Sequence, residues 1–169
     1  MKKRIIQIAL PVTGEDEWQS VKESIMSGWL TQGPKVRKFE ENFAEKHGVN
    51  HALAVTSCTT GLHLALAAMG VGPGDEVIVP TLTYIASVHA ISYVGAKPIF
   101  TDSHEKTWNM DLDKLLELIT PKTKAIMVVH LYGNSCDMDS IVKICQERDI
   151  FLIEDAAEAF GTKYNNKYV

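Results

Sequence analysis

From residue 51 onward the chain alternates short apolar runs with segments of helical spacing, and this alternation restricts the fold more than any other feature of its 169 residues. His51 to Thr56, Glu76 to Val79, Lys97 to Thr101, Lys124 to Val129 and Ile150 to Ile153 read as strands. Thr59 to Met69, Thr83 to Val94, Leu112 to Ile119 and Met138 to Glu147 read as the helices between them. Breakers stand where the type changes: Gly70 to Asp75, Gly95, Thr120-Pro121 and Gly133-Asn134. Five apolar strands separated by helices predict an α/β fold, a mainly parallel sheet with helices on both faces. The first 50 residues differ. Trp18, Val21, Ile25 and Met26 recur at helical spacing up to Gly28, and Pro34 opens a second helix that stops near His47-Gly48. The division predicted is a helical arm over 1–50 and an α/β domain over 51–169.

The last of these strands carries the most chemistry. FLIEDAAEAFG, Phe151 to Gly161, runs from an apolar strand, read as covered on both faces, into Glu154-Asp155 and then small residues. An acid there lies at the carboxyl end of a strand, where open α/β sheets bind ligands. A buried carboxylate is costly unless a cation or several donors meet it, so Asp155 is expected to face a positive or protonated partner. A helix cap or an ion pair with a distant base is the plainer reading. The first strand-to-helix turn, Thr56-Ser57-Cys58-Thr59-Thr60-Gly61, sets hydroxyls and free amides at a helix amino terminus, which is an anion site or simply a capped helix. It is neither a Walker loop nor GxGxxG. Cys58 could also be a nucleophile there, although none of the six histidines can be assigned as its partner. Tyr84 follows the second strand as an aromatic plate, His130 adds a polar group after the fourth, and Glu158 is a second acid. A planar, phosphorylated cofactor with a protonatable ring nitrogen satisfies this set, and pyridoxal phosphate fits.

Composition removes several other functions. A net charge of −4 argues against a nucleic-acid or anionic-membrane surface. The start MKKRIIQIALP imitates a signal peptide for four residues before Pro11 and acids end the apolar run, so neither an export signal nor a spanning helix is predicted. Three cysteines without CxxC spacing suit a reducing cytoplasm, and six histidines without paired spacing give no metal site.

Five strings in collinear order carry a resemblance: GWLTQGPKVRKFE, GPGDEVIVPTLTYIAS, YVGAKPIFTD, HLYGN with CDMD, and IEDAAEAFG. Together they resemble the DegT-type nucleotide-sugar aminotransferases, which are fold type I pyridoxal phosphate enzymes. The resemblance covers nearly the whole chain. It implies that Asp155 pairs with the pyridine nitrogen, that Tyr84 stacks on the ring, that Cys58 and Thr59 hold the phosphate, and that Glu158 lies near the ring hydroxyl. It further implies nucleotide-sugar and amino-acid substrates, with glutamate as donor, a Trp29 to Gly33 loop bordering the sugar, and a homodimer. Cys58 departs from the family's commoner Gly or Ala, and His104 stands where relatives often have Asp.

Length is the main departure. In the family the Schiff-base lysine lies some tens of residues beyond the DAAEA block, and Lys163 and Lys167 are too close to Asp155 to match it. The expectation is therefore residues 51–169 as an incomplete cofactor-binding large domain, inactive alone, whose first strand lacks its neighbour. A related dehydratase, in which histidine replaces the lysine, and a non-catalytic cofactor-binding remnant are the alternatives.

Overall fold

The computed structural model describes residues 10–169; the basic and apolar start read above, over residues 1–9, lies outside them. The chain divides into two compact units, the first ending at Ala54 and the second running from Val55 to Val169.

The first unit holds α1 (Glu15–Ser27) and α2 (Pro34–His47). Glu17 reaches back to accept the Gly14 N–H at 2.7 Å, which closes the amino end of α1. Both helices stop at glycines in the left-handed region, Gly28 at φ 71° and Gly48 at φ 66°, a conformation that a Cβ disfavours. Neither helix has a buried residue.

The second unit is the sheet. Its elements are α3 (Cys58–Ala68), β1 (Glu76–Pro80), α4 (Ile85–Tyr93), β2 (Lys97–Thr101), α5 (Leu112–Leu118), β3 (Thr123–Val129), α6 (Met138–Arg148) and β4 (Phe151–Asp155). A short hairpin follows, β5 (Lys163–Tyr164) and β6 (Lys167–Tyr168). The four long strands are all parallel, in the order β2-β1-β3-β4. Period-two alternation divides their side chains between two cores. Val77, Val79, Ala125, Met127 and Ile153 meet Leu62 and Leu66 of α3 and Ala90 and Ile91 of α4. Ile78, Ile126 and Val128 meet Leu115 of α5 and Ile141 and Cys145 of α6. Helices on both faces make β1 and β3 nearly continuous apolar runs.

The elements depart from expectation at several places. His51 to Thr56 forms no strand, because a strand needs a hydrogen-bonded neighbour and none of the described residues pairs with it. The strand β4 is an edge strand in this sheet and its cover is partial: Ile153 joins the α3–α4 core and Leu152 packs against the α5–α6 core, while Phe151 and Glu154 are exposed. The helix expected from Thr83 begins at Ile85, since Tyr84 has extended backbone angles, φ −68° and ψ 141°. The strand containing the acid runs on through Asp155 itself.

Candidate functional site

The parallel strands deliver their carboxyl ends to one rim of the sheet. Asp155 closes β4, Ser57 caps α3, Tyr84 precedes α4, and His130 follows β3. Cys58, Ser87 and Asp155 come into direct contact, although they are as much as 97 residues apart in the chain.

Asp155 is 5% exposed and is met by three neutral donors. The Ser87 hydroxyl donates to Oδ2 at 2.8 Å. The Cys58 thiol, at 3.5 Å, and the Ala157 N–H, at 3.2 Å, donate to Oδ1. A positive or protonated partner was expected opposite this acid; among the described residues none forms an ion pair with it. Three neutral donors hold the carboxylate in one orientation and bring no positive charge to it.

The Cys58 thiol behaves contrary to the nucleophile reading. Burial above all, then the charge of Asp155 and the hydrogen bond to it, push it up to about 11. It stays protonated and serves as a donor. Beside it, Ser57 Oγ accepts the Thr60 N–H at 3.3 Å and lies 3.0 Å from Thr60 Oγ1, which is 3.1 Å from Thr56 Oγ1. The amino terminus of α3 is thus both capped and lined with hydroxyls. Thr59 stands in its first turn. Tyr84 is 77% exposed, so its ring is available to a flat ligand.

Glu158 takes a position that the sequence did not indicate. Its Oε2 accepts the Tyr132 N–H at 2.8 Å, and Tyr132 is a non-glycine residue at φ 50°. The carboxylate thereby helps to hold a strained loop, which Thr162 also ties by donating to Gly133 O at 3.0 Å. His130 is structural. Its Nδ1 accepts the Cys136 N–H at 3.1 Å, so Nε2 carries the ring proton and donates to Glu154 Oε2 at 3.0 Å. Ser87 was not singled out from sequence. A serine four residues after Thr83, on the apolar helix that follows Tyr84, was the available signal.

The Trp29 to Gly33 loop lies in the first unit and borders an open cavity of about 800 Å³ there. Trp29 Nε1 donates to Gln32 O at 2.6 Å, and the indole packs so closely on Gly33 that no Cβ fits. Lys163 Nζ lies 4.7 Å from the Tyr168 ring centroid within the β5–β6 hairpin.

Comparison with known proteins gives concordant findings. The profile described as "DegT/DnrJ/EryC1/StrS aminotransferase family" matches residues 11–169. The chain is 54% identical over 159 residues to GDP-perosamine synthase of Escherichia coli O157:H7, covering 94% of this chain and 43% of that one. It is 50% identical over 163 residues to GDP-perosamine synthase of Caulobacter vibrioides, covering 96% and 44%. A sugar aminotransferase of Streptococcus pneumoniae in its PLP form superimposes with a TM-score of 0.91 at 35% identity, over 96% of this chain and 45% of that one. The chain therefore spans less than half the length of the curated relatives it matches.

Proposed function

The chain belongs to the DegT/DnrJ/EryC1/StrS aminotransferase family, and from that premise we propose that it carries the cofactor-binding part of a pyridoxal phosphate enzyme. That enzyme moves an amino group from glutamate to the keto group of a nucleotide-linked sugar, in the biosynthesis of an amino sugar for a surface polysaccharide. Likeness to two GDP-perosamine synthases favours a GDP-linked sugar. The proposed enzyme is a cytoplasmic homodimer.

One observation carries this reading: Asp155 is buried and fixed by three neutral donors, with no ion-pair partner among the described residues. Such a carboxylate fits a protonated ring nitrogen, which would compensate its charge. The hydroxyl-lined amino terminus of α3 fits a phosphate. The residues present therefore suit the cofactor. Pyridoxal phosphate, when bound, supplies an electron sink whose strength depends on a protonated ring nitrogen.

Each residue then has a stated task. Asp155 holds a proton at the ring nitrogen, and Tyr84 covers one face of the ring and excludes water from it. Cys58 and Thr59 bind the phosphate through the first turn of α3. Glu158 sits beside the ring hydroxyl while its other oxygen keeps the Tyr132 amide. We assign the lysine that would anchor the cofactor and carry protons to another part of that enzyme, since Lys163 and Lys167 follow Asp155 too closely to match it.

The test is amino transfer itself. The enzyme containing this chain, given glutamate and a GDP-linked keto-sugar, is expected to release 2-oxoglutarate in step with aminated sugar, and the 169-residue chain alone none. Turnover by the 169 residues alone would contradict the placement of the lysine. Failure of the complete enzyme to aminate any nucleotide-linked keto-sugar would contradict the function.

A further inference from the structure

We propose that Ser87 is a positioning residue that fixes Asp155 relative to Tyr84, so that the acid and the aromatic plate meet one flat ring in register. The inference rests on the cofactor reading above and deepens it.

Ser87 lies at the third position of α4 and is fully buried, facing the carboxyl end of β4. Its hydroxyl has three polar neighbours: Asp155 Oδ2 at 2.8 Å, Thr83 Oγ1 at 2.7 Å and Tyr84 O at 3.2 Å. A serine has one proton to donate. The carboxylate takes it, being charged and nearer than the Tyr84 carbonyl. The Thr83 hydroxyl then supplies its own proton to Ser87 Oγ, forming a chain from Thr83 through Ser87 to Asp155. The Ser87 N–H meanwhile donates to Tyr84 O at 3.2 Å. One residue thus holds the backbone of Tyr84 through its amide and the side chain of Asp155 through its hydroxyl.

Among the described residues no other donor does this. Cys58 and Ala157 both bond to Oδ1, and Ser87 is the donor to Oδ2. Without the hydroxyl, Oδ2 loses its hold and the carboxylate is fixed through Oδ1 alone, so its plane is less closely defined. An acid so loosened still carries charge, but Oδ2 no longer has a fixed direction. Ser87 touches neither cofactor nor substrate in this scheme and acts only through the two residues that do.

The experiment uses pyridoxal phosphate labelled with ¹⁵N at the ring nitrogen, bound to the protein, with the ring-nitrogen signal and the dissociation constant read together. Ser87→Ala is expected to keep the native circular dichroism, weaken binding about tenfold or more, and move the signal toward unprotonated pyridine. Ser87→Thr, which keeps the hydroxyl, should restore the parent signal. Thr83→Val, which has nearly the same shape and no hydroxyl, should move it the same way by less. It also serves if Ser87→Ala fails to fold. A Ser87→Ala protein with the parent's signal and affinity would overturn the proposal, as would a folded Ser87→Thr protein that behaves like Ser87→Ala. If the parent binds no cofactor, or binds it equally well as Asp155→Asn, the cofactor reading itself fails, and that outcome is distinct from either of the others.

Discussion

At the scale of single residues, the two contacts that matter most join positions far apart in sequence. Asp155 was legible because an apolar strand that ends in an acid is unusual. Its donors were not, since Ser87 lies 68 positions away and Cys58 lies 97. Nothing in TSCTTG says that its thiol will face a carboxylate rather than a base. That contact has a chemical consequence. With the Cys58 thiol at about 11, alkylation by iodoacetamide near pH 8 should be slow despite its exposed position. Asp155→Asn removes both the charge and the anionic acceptor, so the pH midpoint of the alkylation rate should fall toward the ordinary thiol value. An unchanged midpoint, followed by mass spectrometry of the Cys58 peptide, would mean that burial alone sets it.

At the scale of elements, helix signals read well and sheet pairing read poorly. Gly28, Gly48, Ser57, Asp111 and Asp137 each end or cap a helix through local geometry that a short stretch of sequence contains. Asp137 accepts the Ser140 N–H at 3.3 Å and its hydroxyl at 2.7 Å, and these bonds, the hydroxyl first, hold its carboxyl below the usual range. Asp137→Ala should therefore destabilise the fold by about 1 kcal/mol. Because the folded carboxyl is depressed, the contribution is complete above the unfolded carboxylate range and lost as pH falls through the folded value. Urea midpoints near neutrality and near pH 3 check both size and sign. Deeper in the sheet, Ile126 is fully buried among Leu115, Ile141 and Cys145. Ile126→Ala should cost about 2–5 kcal/mol, read from the same titrations. Pairing depends on partners, which explains why the strand expected at His51 to Thr56 is absent. The β5–β6 hairpin did leave a signal. Asn165 and Asn166, at φ 47° and 64°, supply the two left-handed residues of a tight hairpin turn, and Asn-Asn between two Lys-Tyr pairs is a pattern that could have been read.

At the scale of the whole molecule, the parallel sheet followed from alternation alone, whereas the identity of the ligand needed the resemblance and then the geometry of the rim. All three thiols, Cys58, Cys136 and Cys145, are pushed up to about 11, chiefly by burial. An unfolded thiol ionises near 9, so folding favours the protonated form. That contribution is complete below about pH 9 and should be lost as pH rises toward 11, with a smaller share from the more exposed Cys58. Denaturant midpoints at about pH 8 and pH 10.5 should fall accordingly, and by less in Cys145→Ala compared with its own value at pH 8. The central claim, that Asp155 organises a pyridoxal phosphate site, is tested most directly by an absorbance titration of the purified protein with that cofactor, run beside Asp155→Asn. A saturable change in the parent, weakened about tenfold or more in Asp155→Asn with the fold intact by circular dichroism, is the predicted result. Identical titrations of the two proteins would contradict it.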